Sequence, residues 1–303
     1  MGAEDEEDFE IEAGRNGGAR GTGRPRARVD DMSEVLQRWR LVFARGEEAR
    51  YLSHLDAVKG WERAFRRGEI PVATSEGFSP RPKLVFAAPL QLGMLAEHEL
   101  ADLFLAEKLT APDLRERLAA GMPRGYRVLD LHDVWIGAAA LAPRLAAADH
   151  RMTLLNVEQP RLAAASERLM ASEQLMRDRR KEARTVTYDL RPLVLDLRVG
   201  PPEPAALPPQ IGGTEAGPIA AAGLWMRLRH SQNLGSGRAD EVVAALAGEM
   251  GMAAVTASGT EEEVETAGDR DGALATPELP ASPPLEVLRP VRERLWLAEE
   301  LEQ

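Results

Sequence analysis

An α+β fold is expected, built from two tandem ferredoxin-like (split β-α-β) halves with disordered acidic flanks. Three observations predict it. Short apolar alternations and amphipathic helical stretches follow one another in the order β-α-β-β-α-β between residues 38 and 134. The same order of elements returns between residues 150 and 256, as a repeat of elements and not of residues. The ends of the chain, rich in Gly, Arg, Pro and acids, carry too few apolar residues to offset the entropy of ordering. The organisation read from this is a disordered tail at 1–31, a first half at 32–140, a second half at 141–257, and an acidic low-complexity tail at 258–303. The second half has a Pro/Gly-rich insertion at 201–218.

Each element has its own signal. Arg38 to Phe43 alternates as a strand with Trp39, Leu41 and Phe43 on one face. Ser53 to Arg67 reads as a helix, with Ser53 as N-cap, Leu55, Val58, Trp61, Ala64 and Phe65 as the apolar stripe, and Gly68 as the stop. Short strands are expected at Pro71–Thr74, Leu84–Ala87 and Glu99–Leu105, around a proline-punctuated loop from Ser75 to Lys83. A helix over Ala111–Ala120 opens at Thr110 or Pro112, and Tyr126–Val134 alternates as a strand. In the second half, His150–Val157 reads as a strand, Arg161–Arg180 as a helix, Thr185–Val199 as a hairpin and Leu224–Arg229 as a strand. Ala239–Met250 reads as a helix and Met252–Thr256 as a strand. The last stretch, from Leu285, returns as a strand or short helix around Leu295, Trp296 and Leu297.

Composition narrows the chemistry. The chain has 303 residues and no cysteine, so disulfides, thiolate zinc sites, thiol nucleophiles and cysteine-ligated iron–sulfur clusters are excluded. The five histidines, at 54, 98, 132, 150 and 230, include no helical metal pair and no HExxH, so no metal is expected. No apolar run is long enough for a membrane span, and the acidic N-terminus does not read as a signal sequence; no membrane association and a cytoplasmic location are expected. The net charge of −11 is concentrated in the flanks, and the part between them is nearly neutral.

Three polar constellations stand out. The densest runs from Tyr51, Ser53, His54 and Asp56 through Arg63 and Arg67 to the loop carrying Ser75, Gly77, Phe78, Ser79, Arg81 and Lys83. In a split β-α-β fold the helix start and this loop can approach, and a helix N-terminus with Arg81 and Lys83 beside it suits an anion or phosphate. The plain alternative is that Ser53, His54 and Asp56 satisfy the helix start and the arginines form a solvated face. The second constellation is RDRRKEAR, with Arg180, Lys181 and Arg184. It reads as a phosphate-tracking surface or, more simply, as a helix end where cations favour the dipole. The third is NLGSGR, where Gly235, Ser236 and Arg238 precede a helix. It reads as an anion cradle or as an ordinary strand-to-helix turn, and the turn is favoured. Ser53, His54 and Asp56 do not make a catalytic triad, because neighbours one and two apart on a helix do not face each other.

The stretch YLSHLDAVKGWERAFRRGEIPVATSEGFSPRPKLVFAAPLQLG, Tyr51 to Gly93, resembles the opening of the radical S-adenosylmethionine (SAM)-associated protein family, whose activity is unassigned. It keeps that pattern at Ser53, His54, Asp56, Arg63, Arg67, Pro71, Ser75, Gly77, Phe78, Pro80, Pro82, Phe86, Pro89, Leu90 and Gly93. YDLRPLVLDL and LGSGRADEVVAAL look like its later segments, so the resemblance spans about residues 38–257. It implies a separate radical SAM partner carrying the iron–sulfur cluster and SAM, with no cofactor in this chain. The expected function is an accessory module holding RNA, ribosomal or transfer, or another substrate for that enzyme. Two alternatives stand beside it. One is a metal-independent RNA-processing endonuclease resembling the CRISPR repeat-processing enzymes, with His54 as acid or base. The other is a protein–protein scaffold.

Overall fold

The first half forms in the order its sequence predicts. β1 (Gln37–Arg45), α1 (His54–Arg67), β2 (Leu84–Phe86), β3 (Leu95–Leu105), α2 (Ala111–Gly121) and β4 (Tyr126–Val134) follow one another. This computed structural model describes residues 35–75, 80–181, 184–204, 220–231, 233–255 and 283–301. The tail expected at 1–31, and most of the 201–218 insertion and of the stretch from 258, lie outside these residues. β1 pairs antiparallel with both β3 and β4, and β2 pairs antiparallel with β3. The resulting order, β4-β1-β3-β2, is that of a split β-α-β unit, in which both helices cross back over one sheet face.

Alternation along β1 decides what each face does. Trp39, Leu41 and Phe43 pack with Trp61 and Phe65 of α1 and with Leu114 and Leu118 of α2. Phe43, Trp61 and Tyr126 meet mostly edge to face, with Phe43–Trp61 centroids 5.3 Å apart. The opposite face carries Arg38 and Arg40, both buried. Ser53 caps α1 as its sequence predicts: its hydroxyl oxygen accepts the Asp56 N–H at 3.2 Å. The buried stripe of α1 is Ala57, Gly60, Trp61, Ala64 and Phe65, which keeps the expected Trp61, Ala64 and Phe65 but takes Ala57 and Gly60 in place of Leu55 and Val58. Leu55 is 64% exposed, because the face set by the large Trp61 and Phe65 rings places residue 55 on the far side.

The second half holds α3 (Leu141–Arg144), β5 (Leu145–Leu155), α4 (Gln159–Ala171), β6 (Met176–Lys181), β7 (Arg184–Asp189), β8 (Val194–Gly200), β9 (Ala221–Ser231), β10 (Gly235–Ser236), α5 (Ala239–Glu249), β11 (Ala254–Val255), β12 (Leu285–Leu297) and α6 (Ala298–Leu301). Its antiparallel order, β12-β5-β9-β8, repeats that of the first half. The strand expected at 252–256 is only the two-residue β11, and the fourth strand of this half is β12 at the end of the chain. β12 buries Leu285, Val291, Leu295 and Leu297. It runs antiparallel to β5 and parallel to β3, through Val291–Leu95 and Arg292–Ala96. It thereby joins the halves into one ten-stranded sheet, and residues 33–303 make one compact unit. The architecture is mixed α+β, with six helices among the described residues.

Two further expectations change. The helix expected to run to Arg180 ends at Ala171, where the Ser172 N–H bonds back to Arg168 and Leu169. RDRRKEAR is therefore not a helix end but the outer part of the hairpin β6–β7. The Leu175 N–H donates to Asp189 Oδ1 at 2.8 Å and the Leu190 N–H to the Leu175 carbonyl, closing the base of this hairpin. Good helix formers here follow tertiary pairing rather than propensity. The hairpin expected at 185–199 is divided between β7 and β8, with a 3-10 turn at Arg191–Leu193 between them.

Candidate functional site at the junction of the two halves

The first constellation does not converge. His54 sits on the first turn of α1, edge-on to Phe86 at 5.6 Å. Asp56, Arg63 and Arg67 line a pocket of about 730 Å³ with Arg124, and Arg67 is already donating to the Gly121 carbonyl at 2.6 Å. Tyr51 is 66% exposed, beneath the Arg50 guanidinium. The Ser75 hydroxyl accepts the Arg81 N–H, closing the loop base. The Lys83 ammonium lies 4.6 Å from the Phe104 ring centroid, on the sheet face away from α1. Among the described residues no hydrogen bond, ion pair or ring contact joins His54 to Arg81 or Lys83. Gly77, Phe78 and Ser79 lie outside the described residues. Arg180, Lys181 and Arg184 are placed by their backbone in β6 and β7.

The far end of the same sequence stretch, Ala87 to Met94, is a strap across the junction of the halves. Its carbonyls are its handles. Arg45, from β1, donates to the Gln91 and Met94 carbonyls at 3.0 and 2.9 Å. Arg50 donates to Gly93 at 2.6 Å. Arg292, from β12, donates to Pro89 at 3.2 Å and Ala88 at 3.4 Å. Gly93 has φ +77°, a left-handed conformation that disfavours any side chain. Arg292 is also clamped by both oxygens of Glu99, its Nε at 2.6 Å from Oε1, with both residues buried.

Beneath the strap lies a cavity of about 550 Å³, the site where the two halves share residues. The strap contributes Ala87, Pro89, Gln91 and Met94; β5 contributes Leu145 and His150, and β12 contributes Arg292. β9 contributes His230, β6 contributes Arg179, and the turn into α5 contributes Ser236, Gly237, Arg238 and Ala239. Among the described residues three guanidiniums and two imidazoles line it, and no carboxylate does. The acids stand behind the basic groups. Asp240 takes Arg238 at 3.0 and 2.5 Å and Gln91 Nε2 at 3.1 Å, and Glu241 lies 3.9 Å from both Arg179 and Arg238. Burial pushes the Asp240 carboxyl up, but the Arg238 hydrogen bonds and charge outweigh it and hold the group below its ordinary value.

The two histidines are held neutral. Burial above all, then the Arg292 charge, lowers His150 to about 3 and His230 to about 4. His230 Nδ1 lies 2.9 Å from Ser236 Oγ, whereas His150 Nδ1 is buried with no hydrogen-bond partner. The helix α5 begins at this wall with Arg238 as N-cap and no side-chain cap, and Asp240 and Glu241 in its first turn set carboxylates at its positive end. Gly237 permits the turn: a Cβ there would stand 2.9 Å from the Leu193 carbonyl and 3.1 Å from Leu228 Cβ. The arrangement sets three arginines, each with a carboxylate behind it, and two neutral imidazoles around a partly enclosed space.

Of the sequence-predicted residues, Ser236 and Arg238 fall in this site, with Gly235 in the adjoining β10. Arg179 belongs to the basic RDRRKEAR segment, whereas His150, His230, Arg292 and Gln91 were not singled out. The available signals were a histidine inside the apolar run of β5 and the arginine of RPVRERLWL. Their meeting follows from the register Arg292–His150 across β12 and β5, and from Ser236–His230 across β10 and β9. Among the described residues no group of three or more His, Asp or Glu could hold a metal ion, and no helix is long and apolar enough to cross a membrane.

Comparison with known families matches residues 38–216 to a model described as "Uncharacterized protein conserved in bacteria (DUF2344)". No curated protein matches the chain. A crystal structure of an unknown protein from Galdieria sulphuraria is similar over 70% of this chain and 91% of its own, at 12% identity and a TM-score of 0.22. At that score the likeness bears on neither fold nor function.

Proposed function

The chain belongs to the DUF2344 family of uncharacterized proteins conserved in bacteria, and we propose that it is a binding module which holds an anionic substrate, RNA or smaller, at the junction cavity for a separate radical SAM enzyme. The observation that carries the reading is a convergence. The end of the Tyr51–Gly93 stretch and the start of LGSGRADEVVAAL, two segments that resemble the radical SAM-associated family, are far apart in sequence yet form facing walls of one cavity. Among the described residues that cavity is lined by Arg179, Arg238 and Arg292 and by no acid, the carboxylates of Glu99, Asp240 and Glu241 standing behind the arginines. The partner would carry the iron–sulfur cluster and SAM, since this chain has no cysteine to ligate a cluster. No specific observation favours the endonuclease or scaffold readings; His54 and Lys83 stand on opposite faces of the sheet.

The test is a pull-down of the tagged full chain from its own cells, with and without ribonuclease, read by mass spectrometry and RNA sequencing. A radical SAM protein among the partners, with an enriched RNA or small anion, supports the proposal. Partners that survive ribonuclease, with neither a radical SAM protein nor an enriched anion, would replace it with a scaffold.

A further inference from the structure

We infer that the junction cavity takes a phosphate monoester of about nucleotide size, with the phosphoryl group between Ser236, Arg179, Arg238 and the first turn of α5, and the organic body against Pro89, Met94 and Leu145. This deepens, and rests on, the reading of the cavity as the binding site.

Three features point to that class. Arg179 and Arg238 stand at the start of α5, both 3.9 Å from Glu241, where the helix has no side-chain cap and Ser236 adds a hydroxyl. Pro89 and Met94 of the strap and Leu145 of β5 add apolar lining. The volume, about 550 Å³, holds a ligand larger than inorganic phosphate.

The charge state favours a monoester over an internal diester. A monoester is close to a dianion at neutral pH, with a second pKa of about 6, whereas a diester carries one charge. A diester would also need chain leaving the cavity on both sides, and the strap covers one of them. The groups facing His150 are Arg292 from β12 and His230 from β9, with Asp149 adjacent on β5; the strap contributes no titratable group. Arg179 from β6 and Arg238 from α5 complete the lining.

The experiment is calorimetric titration of the full chain with four probes: inorganic phosphate, a nucleoside 5′-monophosphate, the parent nucleoside, and a dinucleoside monophosphate containing only an internal phosphodiester. The monophosphate should bind at least about tenfold more tightly than the nucleoside or the dinucleotide, and inorganic phosphate should compete with it. Ser236→Ala and Arg238→Gln, each shown to be folded by its thermal melt, should each weaken monophosphate binding about tenfold. Four outcomes would overturn the inference: no phosphate binds, the two variants bind like the parent, the dinucleotide binds as well as the monophosphate, or inorganic phosphate binds while the monophosphate is excluded. Recovery of a radical SAM partner in the pull-down together with any of these would leave the accessory function standing without this ligand; monophosphate binding with no such partner would do the reverse.

Discussion

Two groups of buried arginines lie in the same sheet and end differently. On the first half, the Asp102 carboxylate receives both Arg38, at 2.5 Å, and Arg40, at 2.9 Å, and Arg38 turns its remaining donors to the Ala138 and Ala139 carbonyls. At the junction, Arg292 is likewise paired with Glu99, yet beside it His150 Nδ1 is left without a partner. Satisfied polar groups of this kind hold elements in place. At the junction the paired arginine stands beside a cavity, and that cavity is where the proposed binding function is placed.

The largest effect expected is on the satisfied side. Asp102→Ala would leave two guanidiniums buried without a counter-charge, and urea denaturation should show a loss of about 3–5 kcal/mol with ligand binding at the junction intact. A loss under about 1 kcal/mol would mean that this cluster is not the structural anchor its geometry describes.

The unsatisfied side should announce itself through pH. Folded His150 stays neutral down to about pH 3, whereas in the unfolded chain it takes a proton near pH 6.5. Between those values the unfolded state binds more protons, so stability falls as pH falls, by about 1.4 kcal/mol per pH unit from this residue. His230, lowered to about 4, acts in the same direction. Denaturation midpoints measured from pH 7 to 4 should decline in the parent and decline less steeply in His150→Gln. Identical slopes would contradict the burial of a neutral imidazole.

The smallest effect belongs to the first sequence constellation. Ser53→Ala should cost about 1 kcal/mol through loss of the α1 cap, with no change at the junction. A larger change in ligand binding than in stability would return function to the Tyr51–Asp56 region.

What the sequence made legible follows from how local each signal is. β1, α1, α2 and β4 rest on alternation, caps and apolar stripes within a few residues of themselves, and the turn glycines of NLGSGR announce the start of α5. The basic hairpin was hidden because Arg177 to Arg184 has helix propensity, and only its pairing with Thr185–Asp189 decides otherwise. β12 forms where a strand or short helix was expected from Leu285, but its place as the shared strand was hidden: its neighbours are β5 and β3, more than a hundred residues away. Half of the site was hidden with it. Ser236 and Arg238 carry a glycine-rich signature, but His150, His230 and Arg292 share no spacing and meet only through strand register.

The most direct measurement is native mass spectrometry of the full chain purified from its own cells, comparing the parent with Ser236→Ala and Arg179→Gln at the junction and with His54→Ala at the α1 start. The parent and His54→Ala should carry the same anionic ligand, and the junction variants should lose it. A ligand retained by both junction variants and lost from His54→Ala would contradict the account and place the site on the first half.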